Sequence, residues 1–141
     1  MHAQQRDATR AITAQLIVNH EQKAELLPRH FARYMLTVED SIYMFAQRIV
    51  PEFRAVYWHF FELSNGGFYM APDVDPIQAR NLTSAQFRDM TGEALGIAAC
   101  LLAFRELSSQ IQNGVMARHY FQLREFAVEH AEAREIFGVV D

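Results

Sequence analysis

The residues best placed to do chemistry are His59 and Glu62, which lie three positions apart in an aromatic segment. A histidine and a glutamate can hold a metal or move a proton when both side chains reach the same point. Residues 56–63 are rich in aromatic and β-branched side chains, which predicts a strand. Because residues three apart on a strand point to opposite faces, we do not expect this pair to form a metal or catalytic site.

The other histidines and the one cysteine give no stronger catalytic pattern. His20-Glu21 lacks the second histidine of a zinc-protease helix. Cys100 lies in the apolar run 97–102, where a thiol behaves as a small hydrophobe, and a single cysteine excludes an internal disulfide. A phosphate-binding glycine loop and a nucleophile elbow are also missing from the sequence. We therefore expect no enzymatic activity, no cofactor and no bound metal.

The charge balance limits the classes of partner. The chain has 17 acidic and 13 basic residues, a net charge of −4, and such a field opposes strong binding to nucleic acid. A protein imitating one turn of DNA would need on the order of 20 carboxylates with few bases beside them. The sequence has no apolar run of about 20 residues that could span a membrane. It predicts a single domain over residues 1–141 in a reducing, cytoplasmic compartment, either a monomer or a weak homo-oligomer.

Two helices are predicted in the first part of the chain. One begins near residues 7–9 and runs to about Val18, with Ile12, Leu16 and Ile17 as its apolar stripe. The Leu27-Pro28 pair is expected to break this segment. A second helix follows a cap at residues 37–40 and ends near Pro51. Its apolar face is predicted from the spacing of Val38, Ile42, Phe45 and Ile49.

The middle of the chain has the pattern of a β-hairpin. Two aromatic segments, 56–63 and 68–71, flank the turn sequence Ser64-Asn65-Gly66-Gly67, because asparagine and glycine accept the positive φ angles of tight turns. Two further strands are predicted at 77–82 and 86–90. Three helices should follow, at 92–110 after a cap by Thr91, at 115–129 and at 131–137. This order predicts an α+β fold, with a small antiparallel hairpin or meander of about three to four strands packed with about five helices.

Four segments resemble a known family. The most specific is residues 57–72, YWHFFELSNGGFYMAP, and the others are 27–35, Gly96-Ile97 and 119–141. Together they make the chain similar to the ArdB/KlcA family of antirestriction proteins over residues 27–141. The resemblance implies inhibition of type I restriction–modification enzymes, usually by proteins encoded on plasmids and other mobile elements. It also implies a protein that is not a strongly acidic DNA mimic.

The resemblance directs attention to residues that could contact subunits of a type I restriction enzyme, directly or through an intermediary. Polar and aromatic positions in or beside the matched segments are the first candidates: Arg29, Trp58, Glu62, Ser64, Asn65 and Asp141. A second candidate is an acidic patch made by Glu125, Glu129 and Glu132, although a solvated helix face would give the same spacing. The aromatic block likewise fits either a sheet core or an exposed binding surface.

A different class of function also fits the sequence. A small enzyme or ligand-binding domain could use an aromatic pocket near the Tyr57–Pro72 hairpin, with Glu62 or His59 as its polar group. The two classes differ in their response to mutation. An enzyme should lose activity when one polar residue is removed, whereas an interaction protein should fail at hydrophobic hot spots.

Overall fold

The structure, a computed structural model, describes residues 11–54 and 56–141. Within these residues the elements are β1 (Ala14–Ile17), α1 (His20–Phe31), a 3-10 turn (Ala32–Tyr34), α2 (Met35–Ile49), β2 (Trp58–Leu63), β3 (Phe68–Pro72), β4 (Ile77–Arg80), β5 (Phe87–Met90), α3 (Gly92–Gln110), α4 (Val115–Val128) and α5 (Ala133–Val140). Strands grouped between helices confirm the predicted α+β class.

The chain before α1 is a strand rather than the predicted helix. Ala14–Ile17 pairs antiparallel with β2, from Ala14 opposite Leu63 to Ile17 opposite Phe60. Ile17 is buried and the adjacent Leu16 is 44% exposed, an alternation that belongs to a strand. Three apolar residues in so short a segment fit the period of a helix as well as that of a strand. Pairing with β2 makes the segment a strand. Residues 7–9, where the helix was predicted to begin, lie outside the described residues.

The predicted break at Pro28 is also wrong, since Pro28 lies inside α1. The helix begins with the Asn19 side chain accepting a hydrogen bond from the backbone N–H of Gln22 at 3.0 Å. Pro28 removes one backbone donor, but its carbonyl oxygen still accepts a bond from the Ala32 N–H. The missing bond is the one to the Ala24 carbonyl oxygen, and the helix continues for only three residues beyond Pro28.

Helix α2 confirms the prediction for its apolar face and its end. It begins at Met35, two residues before the predicted cap, and ends just before Pro51. All four residues of the predicted stripe are buried: Val38, Ile42, Phe45 and Ile49. The helix therefore packs one face on the core, as its period of 3.6 residues requires.

The predicted hairpin is confirmed, but the strands form two sheets instead of one. The first sheet has the order β1-β2-β3, and β4 pairs with β5 in a separate two-stranded sheet. Helix α3 occupies the outer side of β3, where the Cys100 Sγ lies 3.7 Å from the Met70 carbonyl oxygen. A further strand has no room to pair there, so the meander does not continue.

Helix α3 is the centre of the core. The Thr91 side chain caps it by accepting from the Ala94 N–H at 3.2 Å, as predicted. Every residue from Ala94 to Phe104 is buried, which is the pattern of a helix covered on all sides. None of the helices in residues 11–54 and 56–141 combines the length and apolar character needed to cross a membrane.

Candidate functional site

Two of the predicted candidates meet at the junction of α1 and β2. Glu62 on β2 accepts hydrogen bonds at its Oε2 atom from Arg29 Nη2 at 2.9 Å, and the ring Nε2 of His30 lies 2.7 Å from the same oxygen. The Arg29 side chain is 57% exposed and that of Glu62 26% exposed. A pair this exposed adds about 1 kcal/mol or less to stability. The carboxylate therefore links α1 to β2 while leaving the Arg29 guanidinium accessible to solvent.

A pair of histidines lies beneath this carboxylate. The His30 and His119 rings meet edge to face with centroids 5.1 Å apart, and His119 is only 1% exposed. Burial lowers the pKa of His30 from its ordinary value, although Glu62 opposes the change. Burial is the main cause that lowers the pKa of His119 to about 4, and the neighbouring His30 and Arg118 act in the same direction. Both rings are thus held neutral at pH 7, and His119 is a core residue.

Sequence reasoning did not single out His119 as part of this cluster. A signal was present, because His119 lies three residues after Met116 and four before Leu123, both buried on α4. That spacing places all three side chains on the inner face of one helix. Among the described residues, the Nδ1 atom of His119 has no hydrogen-bond partner.

His59 and Glu62 do not converge, as predicted from their spacing on a strand. His59 Nε2 lies 3.5 Å from Asp73 Oδ1, whereas Glu62 faces α1. Within the part of the chain that the structure describes, no group of three or more histidine, cysteine, aspartate or glutamate side chains is placed to hold a metal. Burial also raises the pKa of the Cys100 thiol to about 12, which keeps it protonated.

Ser64 and Asn65 hold the hairpin turn against the rest of the molecule. The Ser64 hydroxyl accepts a hydrogen bond from the Thr13 N–H at 2.9 Å, just before β1 begins. Asn65 Oδ1 accepts from the Gly67 N–H at 3.0 Å, and Asn65 Nδ2 donates to the Gln122 carbonyl at 2.9 Å. Gln122 Nε2 returns a bond to the Asn65 carbonyl at 3.0 Å. This reciprocal pair fixes the turn to α4.

Replacing Asn65 by alanine should lower the free energy of unfolding by about 1–2 kcal/mol, since the turn N–H and the Gln122 carbonyl both lose a partly buried partner. Urea denaturation would measure the change. Asn113→Ala is a matched control, because Asn113 makes one exposed bond to the Val115 N–H. Equal destabilisation by the two variants would contradict a clamping role for Asn65.

The remaining aromatic and C-terminal candidates have different environments. Trp58 is 8% exposed and packs edge to face on Tyr43, with ring centroids 5.2 Å apart, so it presents little surface to a partner. Asp141 is half exposed, and its carboxylate lies 3.6 Å from Arg105 and 3.8 Å from Arg124. It is thus the more accessible of these two candidates.

The three predicted acidic residues do not form one stripe. Glu125 and Glu129 are exposed on and just after α4. Glu132 instead turns to the start of α3, where its carboxylate accepts a hydrogen bond from the Thr91 N–H at 3.0 Å. Negative charge at a helix N-terminus is stabilising, so Glu132 has a structural role and only the other two remain candidates for a surface patch.

A second polar cluster ties β3 to the turn between α4 and α5. Tyr69 donates its hydroxyl hydrogen to Glu93 Oε2 at 2.8 Å, and His130 Nε2 lies 3.3 Å from the same oxygen. The hydrogen bond to Glu93 raises the pKa of His130, and the bond from His130 lowers the pKa of Glu93. This group of side chains favours a protonated His130 beside an ionised carboxylate.

The family model described as "Antirestriction protein" matches residues 51–141. An antirestriction protein KlcA from Escherichia coli is 33% identical over 137 residues, covering 92% of this chain and 95% of that protein. The uncharacterized protein YfjX of Escherichia coli K12 is 33% identical over 129 residues, with 88% and 85% covered.

The fold has a counterpart among solved structures. A chain from the structure of the KlcA and ArdB proteins superposes with a TM-score of 0.85 at 32% identity, covering 94% of this chain and 96% of that one. Those proteins are described as showing a novel fold and antirestriction activity against type I DNA restriction systems in vivo but not in vitro. The sequence and the fold both match those of KlcA-type antirestriction proteins over most of the chain, and the protein therefore belongs to the ArdB/KlcA family of antirestriction proteins.

Proposed function

We propose that this protein relieves type I restriction by protein–protein contact, without catalysing a reaction. The observation that carries the proposal is the match to KlcA over nearly the full length of both chains. The structural neighbours act against type I systems in vivo but not in vitro. Such a difference fits an inhibitor that needs a cellular component beyond the purified enzyme. Contact through an intermediary therefore agrees with this observation as well as direct binding does. Restriction acts on DNA inside the cell, so the proposal puts the protein in the cytoplasm.

The distribution of charge supports a route other than DNA mimicry. Several acids make contacts within the molecule: Glu62 with Arg29, Glu93 with His130, Glu132 with Thr91, and Asp75 with the Gly92 N–H. These carboxylates are held by their own intramolecular partners, which does not favour a regular array of charge for a DNA-binding surface. A DNA duplex carries about one charge per 1.7 Å of its axis, a density that the remaining acids do not reach.

The chemistry of the polar clusters supports a non-enzymatic role. His119 is 1% exposed and the Cys100 thiol is fully buried, so neither group can reach a substrate. The ligand-binding alternative gains little support. A groove of about 390 Å³ does adjoin Phe60, between α1 and α2. Its other lining residues include Lys23, Leu27 and Leu36 but neither His59 nor Glu62. A second groove, of about 340 Å³, is lined by Glu62 and Arg29, but it has no aromatic lining residue and its Glu62 is already paired with Arg29.

The test is the plating of unmodified phage on cells that carry a type I system, with and without this protein. We expect plating to rise toward the level of modified phage while methylation of host DNA stays intact. Cleavage by the purified restriction enzyme, with and without purified protein, then separates direct contact from action through an intermediary. No rise in plating on several type I hosts, with soluble folded protein present, would refute the proposal.

A further inference from the structure

The outer side of α4 carries an exposed apolar stripe flanked by acids. Phe121 is 61% exposed and Val128 50% exposed, and their separation of seven residues puts them on one face of the helix. Glu125 lies between them and Glu129 follows, both exposed; Glu125 Oε1 also accepts a long hydrogen bond from Asn65 Nδ2 at 3.4 Å. These four residues, Phe121, Glu125, Val128 and Glu129, are called the α4 outer face below. Apolar residues at i and i+7 on an exposed helix have the spacing of the anchor residues with which a helix binds a partner's groove.

The α4 outer face is held on a rigid support. The opposite side of the helix is buried through Met116, His119, Leu123 and Ala127. Between the two sides, Gln122 exchanges hydrogen bonds with the hairpin turn at Asn65. A surface fixed in this way loses little conformational entropy when a partner binds. The family segment 57–72 thus orients α4 through its turn, and its own aromatic residues need not touch the partner.

The charges of this face restrict what could cover it. Glu125 and Glu129 oppose nucleic acid and anionic lipid, as does the net charge of −4. A second copy docking through the same face would set the like charges of two molecules against each other, which is unfavourable. Arg118 is exposed one turn before Phe121, so the acidic character is confined to the last two turns of α4. A protein surface with an apolar pocket and basic rim is complementary to this arrangement.

We infer that the α4 outer face is the surface that docks on a subunit of the type I restriction complex, at an apolar pocket bordered by arginine or lysine. This inference rests on the proposed function. Enzymes that bind DNA carry basic surfaces to neutralise phosphates, so such a rim is expected on the complex. Phe121 is the anchor, and Glu125 and Glu129 pair with the rim.

The experiment compares matched variants in the phage-plating assay at limiting expression. Phe121→Ala and the double variant Glu125→Lys Glu129→Lys should each weaken relief of restriction by about tenfold or more, as loss of a hot-spot contact does. The controls lie on α2: Leu36→Ala, at a side chain that is 63% exposed, and Asp40→Lys, at an exposed acid. Both controls should retain relief. Immunoblots and thermal unfolding would establish that the variants accumulate and fold equally.

A direct readout uses a photo-crosslinking phenylalanine at position 121, or at position 36 as control, in cells whose restriction subunits carry different epitope tags. An adduct with one tagged subunit from position 121 alone supports the assignment. If wild-type protein relieves restriction and the α4 variants are equally active, the docking surface is wrong and the proposed function stands. If wild-type protein gives no relief, the proposed function fails and the docking surface fails with it.

Discussion

Gly96→Ala should lower the free energy of unfolding by about 3 kcal/mol or more, as overpacking against immobile atoms does. A Cβ atom at this position would lie 2.3 Å from the Met70 carbonyl oxygen and 2.4 Å from the Ala71 Cα. Both are backbone atoms of β3, a strand that is buried along its whole length. Neither can move without separating α3 from the sheet. The gain in helix propensity, about 1 kcal/mol, is too small to offset this clash.

Gly138→Ala on α5 is the matched control. Its Cβ atom would approach the end of the Arg88 side chain, with Nε at 2.2 Å, and a flexible side chain can turn away. We expect this variant to be within about 1 kcal/mol of the wild type, because the helix propensity of alanine compensates for a small rearrangement. Urea denaturation followed by circular dichroism would measure both variants. Equal midpoints for Gly96→Ala and the wild type would contradict the close packing of α3 on β3.

His119→Gln should reduce the loss of stability on acidification. His119 has its pKa lowered from 6.5 to about 4 in the folded protein, so between these values the unfolded chain binds more protons. The stability it contributes is complete above pH 6.5 and is lost as the pH falls toward 4. From pH 7 to pH 5 this loss amounts to about 2 kcal/mol. Glutamine does not titrate, so the variant should lack this part of the pH dependence.

His130→Gln is the control of opposite sign. Glu93 raises the pKa of His130, so its contribution to stability is complete below pH 6.5 and is lost as the pH rises through the folded-state pKa. Removing His130 should make the loss of stability between pH 7 and pH 5 larger than in the wild type, whereas the His119→Gln substitution makes this loss smaller. Urea denaturation at both pH values would compare the three proteins. Parallel pH dependence in His119→Gln and the wild type would show that His119 does not titrate as a buried group.

Elements with local signals could be predicted well from the sequence. The Asn65-Gly66 turn forms the hairpin because Gly66 adopts a φ of 92°, a conformation that glycine accepts without steric cost. Thr91 caps α3 through its neighbour Ala94. Turns and caps depend on residues two or three positions apart, so their chemistry can be recognised before the fold is known.

The elements that sequence reasoning predicted wrongly depend on distant partners. Ala14–Ile17 became a strand because β2, more than 40 residues later, supplies its hydrogen bonds. The meander was interrupted because α3 covers β3. A short apolar pattern contains no information about which surface will be available to it, and tertiary contacts therefore override its local preference.

For the candidate residues too, some properties could be predicted from the sequence and others depend on the tertiary structure. The motif 57–72 was sufficient in the sequence to indicate the family, and it also marked Glu62 and Asn65 as polar positions worth testing. Only the tertiary structure paired Glu62 with Arg29 and Asn65 with Gln122. It also directed Glu132 to the Thr91 N–H at the start of α3. The order of residues determines which groups are available, whereas the packing of distant segments decides which of them are used internally and which remain on the surface.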